Sequence, residues 1–142
     1  MGNVPSSKIK RVNYEFMQGI IQNTGGGPRR RIIINTMPDD MQHCLIPRTL
    51  KAGDDVAMIN QIIARGEIKA VDIIIYGKNT NDNKLYEQYN RLIALGFSQG
   101  QIFVYLGGMF EWLLLQDVYG NIEFPTSGNE LDILKYRPTS DI

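Results

Sequence analysis

Residues Ile73 to Tyr89 read IIIYGKNTNDNKLYEQY. An apolar run ends at Gly77, a short polar loop follows, and a helical pattern begins near Asn81. Leu85, Tyr89, Leu92 and Ile93 continue it at i, i+4, i+7 and i+8, the stripe of a helix resting on a sheet, and Gly96 closes it. A strand, a tight loop and a helix N-terminus in that order aim loop amides and a helix dipole at one place. Such loops often carry chemistry in α/β proteins, so the loop from Gly77 to Asp82 is the first candidate site.

The same alternation recurs on both sides of this stretch. AVDIIIY, Ala70 to Tyr76, is the strand itself, and RIIIN, Arg31 to Asn35, is a second β-branched run short enough for a strand buried on both faces. Between them Asp54 or Asp55 can cap a helix whose Val56, Ile59, Ile62 and Ile63 share a face and which stops at Arg65-Gly66. Downstream, QIFVYL from Gln101 to Leu106 reads as a third strand, and GGMFEWLLLQDVYG from Gly107 to Gly120 as a helix apolar nearly all round. Strand and helix alternating through short links predict a parallel α/β sheet. Upstream, Tyr14, Met17, Ile20 and Ile21 follow a capping Asn13 and predict a helix over 13–22. NTGGGPRRR then forbids regular structure, with Arg29, Arg30 and Arg31 expected on a solvated turn. The chain from Asn121 reads as loop, apart from a short closing helix in NELDILKYRP. The expected organisation is a flexible arm over 1–12, one domain over 13–138 and a tail over 139–142.

Composition bounds what this domain does. At 142 residues and 16.1 kDa one core suffices. With 43% hydrophobic and 21% charged residues the chain falls in the globular range. Lys+Arg and Asp+Glu number 15 each, which argues against a general polyanion binder. Basic residues gather in the arm and glycine loop without interleaved aromatics, so nucleic acid is not expected. The lone Cys44 excludes an internal disulfide and a cysteine-rich zinc site and suits a reducing, cytoplasmic compartment; no metal or cofactor is expected. The lone His43 reads as a surface or loop residue. No apolar run approaches the ~18 residues of a membrane span.

The arm carries a different signal. Gly2 is followed by Asn3, Val4, Pro5 and Ser6, which satisfies the Met-Gly-x-x-x-Ser/Thr pattern for N-myristoylation. One acyl chain binds membranes marginally, and Lys8, Lys10 and Arg11 form the kind of basic cluster that supplies a second signal. Membrane association through Gly2 is therefore an expectation.

With these pieces in order, the chain resembles a single rhodanese-like domain. RIIINTMPDDMQHCLIPRTL resembles the family's strand and turn, usually Ile-Asp-Val-Arg followed by Gly-His-Ile-Pro-Gly-Ala. VDIIIYGKNTND resembles the strand leading into the active-site loop, and RLIALGFSQGQIFVYLGGMFEWLLL is close to the family's helix, Gly-Phe, strand, Gly-Gly and Glu-Trp signature. The match runs over roughly Arg31 to Leu115 and implies a three-layer α/β/α fold with a central, mainly parallel sheet.

The resemblance also implies where the chemistry would be. The family's cysteine opens a six-residue loop that commonly closes with arginine, and loop amides with the following helix N-terminus stabilise its thiolate. Here the cysteine position falls on Gly77 and the arginine position on Asp82, with Lys78, Asn79, Thr80 and Asn81 between, none a soft nucleophile. Asn35 and Met37 replace the usual Asp and Arg of the preceding turn, and Cys44-Leu45 replaces Gly-His. Asp82 is expected to cap the free amides itself and close the loop.

The implied function is a catalytically inactive rhodanese-like module that binds or positions a protein partner, tethered to membrane through Gly2. A second reading is a sulfurtransferase using Cys44 with His43 beside it, although consecutive residues on an extended segment point apart and a lone cysteine is commonly a buried apolar thiol. A third is a non-catalytic phosphate or anion binder using the loop amides and Lys78. Trp112 and Phe110 are expected to pack on the sheet, and any partner site to lie at the sheet's C-terminal edge near Asn35, Met37, Gly77 to Asp82 and Gly107.

Overall fold

The structure, a computed structural model, describes residues 9–22 and 29–139. Five strands form one sheet: β1 (Lys10–Val12), β2 (Arg30–Asn35), β3 (Thr49–Leu50), β4 (Val71–Tyr76) and β5 (Ile102–Tyr105). Their order across the sheet is β1-β5-β4-β2-β3, and every neighbouring pair is parallel. Four helices accompany them: α1 (Tyr14–Gln22), α2 (Asp54–Ala64), α3 (Asn83–Leu95) and α4 (Gly108–Tyr119).

The isoleucine runs explain the three layers. On β2 and β4 successive side chains point to opposite faces, so Ile33, Ile74 and Tyr76 enter a core with Met17 and Ile20 of α1 and Met109, Trp112 and Leu113 of α4. Ile32, Ile34, Ile73 and Ile75 enter a second core with Ile59 and Ile62 of α2 and Leu85, Tyr89 and Leu92 of α3. Each fully buried isoleucine contributes ~1.5–3 kcal/mol of transfer free energy, so runs covered on both sides hold the layers together. All six residues of β4 are buried.

Three expectations need correction. The arm does not extend to residue 12: Ile9 is buried and Lys10–Val12 pair with Phe103 to Tyr105 as an edge strand, so the domain begins by Ile9. The arginine triplet is exposed as expected but is not a turn: Arg30 and Arg31 start β2, and Arg29 pairs with the buried Asp72 at 2.9 Å. Neither Asp54 nor Asp55 sits at the N-cap of α2; Gly53 does, with φ 98°, and the Asp55 carboxylate reaches back to the amides of Gly53 and Val56 at 3.0 and 2.8 Å. The closing helix is a single 3-10 turn, Ile133–Tyr136.

Gly19 lies mid-way along α1, and beyond its chain neighbours and the helix's own backbone no atom stands within 4 Å of where a Cβ would be. Gly19→Ala is therefore expected to stabilise the fold by ~0.5–1 kcal/mol, by reducing the freedom of the unfolded chain, and to raise the thermal midpoint by about 1–4 °C.

Candidate functional site

β2 and β4 lie side by side, and their onward connections diverge, β2 to β3 on one side and β4 to β5 on the other by way of α3. In open α/β sheets that divergence leaves a crevice beyond the strands' C-terminal ends. Thr36 follows β2 there, and the Gly77–Asp82 loop follows β4; the two are tied by the Thr36 amide donating to Tyr76 O at 3.1 Å.

Asp82 organises the loop. It is the N-cap of α3: Oδ1 accepts the Lys84 amide at 3.0 Å, while Oδ2 accepts the Lys78 amide at 3.2 Å and the Thr36 hydroxyl at 2.9 Å. The Asn79 side chain accepts the Asn81 amide at 2.9 Å, and the Asp82 amide donates to Asn79 O at 3.3 Å. The carbonyls turn the other way, Gly77 O accepting from the Met109 amide at 2.9 Å and Lys78 O from the Phe110 amide at 3.0 Å. The loop thus spends the amides of Lys78, Asn81 and Asp82 on its own acceptors, and the carbonyls of Gly77 and Lys78 on the free N-terminus of α4. Glycine at 77 leaves room for this carboxylate: a Cβ there would overlap Asp82 Oδ2 and stand 2.7 Å from Thr36 Oγ1 unless those side chains moved.

Outside the loop is a cleft of about 330 Å³, lined among others by Thr36, Lys78, Asp82, Lys84, Arg137 and Thr139. A second cleft of about 340 Å³ shares Thr36 and Lys84 with it and extends over Asn35, Glu87 and Arg91. The sequence pointed to this edge but missed Lys84, Arg137 and Thr139 as parts of it. Arg137 arrives because the segment after α4 folds back: Trp112 Nε1 donates to Pro125 O at 2.9 Å, the Ser127 amide to Leu45 O at 2.8 Å, and the buried Asn79 amide to Tyr136 O at 2.8 Å.

The other sequence candidates have structural roles or lie away from the first cleft. Asn35 is buried in a reciprocal amide pair with Gln42, at 2.9 and 2.8 Å, and also accepts the Met37 amide, so it fastens the turn after β2. Cys44 is fully buried, does not line the cleft, and its thiol donates to Gly128 O at 3.5 Å; burial pushes its pKa up. Trp112 is fully buried, edge-on to Tyr105 and Phe124. Gly2 and Lys8 lie outside the described residues. Among the described residues no group of three His, Cys, Asp or Glu stands where a metal ion could be held, and no helix is long and apolar enough to cross a membrane.

His43 is exposed, and its Nε2 lies 3.0 Å from Glu130 Oε1. Glu130 also bonds Lys135 and accepts the Asp132 amide at 3.2 Å; these partners, Lys135 foremost, hold its pKa at about 2 against an ordinary 4.5. The unfolded chain therefore takes up this proton first as pH falls, so the stability Glu130 contributes is whole above pH 4.5 and is lost toward pH 2. Urea midpoints are expected to fall more steeply between pH 5 and pH 3 in the parent than in Glu130→Gln.

No protein-family model matches the chain, and no curated protein matches it in sequence. Among solved structures it is similar to the crystal structure of Saccharomyces cerevisiae Ygr203w, a homolog of single-domain rhodanese and Cdc25 phosphatase catalytic domain. The superposition has a TM-score of 0.55 at 16% identity and covers 94% of this chain and 96% of that one. The fold is rhodanese-like. The Gly77–Asp82 loop follows the central strand β4, and the Asp82 network occupies it.

Proposed function

We propose that this rhodanese-like chain binds a ligand or partner without turning it over. The observation that carries the reading is the Asp82 carboxylate, which fills the space in front of Gly77 and takes the amides of Lys78 and Lys84. By the family resemblance Gly77 stands at the cysteine position and Asp82 at the arginine position, so nucleophile and cation are lost together and the amides of Lys78 and Lys84 are taken. Cys44 is a poor substitute: fully buried, with its thiol pKa raised, it offers neither access nor thiolate. Thiosulfate and mercaptopyruvate sulfurtransferase assays and p-nitrophenyl phosphate hydrolysis test the reading. Rates at the protein-free background are expected for the parent and for Cys44→Ser; turnover in the parent above that background overturns it.

The reading extends to a tether. The Gly2 motif supports acylation, and Lys8 and Arg11 support an anionic surface beside it. Lys10 contributes less, since its ammonium lies 3.4 Å from Gly100 O and 5.2 Å from the centre of the Phe103 ring. Incubation with an N-myristoyltransferase and labelled myristoyl-CoA is expected to label the parent and leave Gly2→Ala unlabelled; an unlabelled parent removes the tether.

A further inference from the structure

Asp82 takes the amides of Lys78 and Lys84, and the side-chain cations around it are left beside the open cleft. Lys78, Lys84 and Arg137 line the 330 Å³ cleft, and none of them has a carboxylate partner among the described residues. The acid in the same lining is Asp82, whose two oxygens are engaged by Thr36 and by the amides of Lys78 and Lys84. Arg137 gives one donor to Leu134 O at 2.7 Å, which fixes the guanidinium on the 3-10 turn, and its other side-chain N–H groups have no partner among the described residues. Three cations against one hydrogen-bonded carboxylate give the concavity a formal charge of about +2. These cations come from three segments: the loop, the first turn of α3, and the returning C-terminal chain held in place by Asn79.

The second cleft adds what lies alongside. It continues from Thr36 and Lys84 over Asn35, Asp55, Glu87 and Arg91, a polar wall of both signs. Neither cleft is lined by an aromatic ring on which a base could stack, and acids along the wall oppose a run of phosphodiesters. A peptide backbone with one doubly charged group matches both halves. We propose that this groove binds a phosphorylated segment of a polypeptide, the phosphate in the cleft of Lys78, Lys84 and Arg137 and the flanking residues along the wall that ends at Arg91. The inference rests on the non-catalytic reading above and names its ligand. The phosphate is held by side chains outside the closed loop, not by the loop amides.

The test uses the full chain and an array of seven-residue peptides centred on phosphoserine, phosphothreonine or phosphotyrosine, each beside its unphosphorylated form, with inorganic phosphate as a soluble competitor. Phosphorylated members are expected to bind at least about tenfold more tightly than their unphosphorylated forms, with affinity falling as salt rises. Lys84→Gln and Arg137→Gln, both exposed positions, are each expected to weaken binding about tenfold while leaving the thermal midpoint within about 2 °C of the parent. An array without a phosphate-dependent binder, or binding indifferent to both substitutions, overturns the proposal. Inorganic phosphate binding as tightly as the best peptide overturns its peptide half. Release of phosphate from a bound peptide overturns instead the non-catalytic reading, so the two failures are told apart in one experiment.

Discussion

Gly77→Cys alone is expected to destabilise the fold by ~2–4 kcal/mol and to leave thiosulfate sulfurtransferase activity at background. The new Cβ overlaps the Asp82 carboxylate, and moving that carboxylate undoes the α3 cap together with its bonds to the Lys78 amide and the Thr36 hydroxyl. Losing the cap costs ~1 kcal/mol and overpacking ~1–3 more, a fall in thermal midpoint of roughly 5–15 °C. Gly77→Cys/Asp82→Ala behaves differently. It removes the nearer obstruction and so the overpacking, gives up the three Asp82 bonds, and leaves the Thr36 hydroxyl, 2.7 Å from the new Cβ, to turn aside and face, with the freed Lys78 amide, a thiol at the start of the loop. Such surroundings lower a thiol pKa, so in a Cys44→Ser background this variant is expected to react with iodoacetamide well below pH 8 and to show thiosulfate turnover above background. Thermal melts, alkylation against pH and the turnover assay check all three points. A single variant as stable as its parent would mean that Asp82 does not fill the space; a folded, inert double variant would mean that the loop amides, once freed, do not activate a thiol.

What the sequence revealed of this site, and what it hid, divides by the range of the interactions. β4 and α3 were legible because their signals are local: a β-branched run buried throughout, an acid at the N-cap, a glycine in a left-handed conformation at the end, with Gly96 at φ 115°. The capping by Asp82 was legible for the same reason, since a carboxylate and the amide two residues on meet by helix geometry alone. β1 and β3, with 3 and 2 residues, are too short for alternation to be read, and exist because β5 and β2 offer edges to pair with. Arg137 was invisible as a cleft residue because it is carried there by a bond between residues 57 positions apart, Asn79 to Tyr136. That buried Asn79 amide served as a polar loop residue in the sequence; in the fold it locks the C-terminal segment against the candidate site.

Gly108→Ala is expected to be as damaging as the overpacked loop variant, although Gly108 opens a helix and alanine is the best helix former. Two causes add. Gly108 has φ +68°, a left-handed conformation that costs a residue with a Cβ ~1–2 kcal/mol, and the added methyl would stand 2.7 Å from Gly77 O and 3.0 Å from Asn79 N. The neighbour is backbone, fixed by the bonds from Met109 and Phe110 to Gly77 O and Lys78 O, so it cannot yield as a flexible side chain would. Together these give ~2–4 kcal/mol, or roughly 5–15 °C in thermal midpoint. The sign is opposite to that expected for Gly19→Ala, where helix propensity acts unopposed in open space. Because the strain falls on the loop that Asp82 closes, amide hydrogen exchange is expected to quicken at Lys78 and Lys84 as well as at Met109 and Phe110. Exchange quickening only within α4 would mean that the helix N-terminus and the loop open separately, and that the close approach at Gly108 does not hold the candidate site shut.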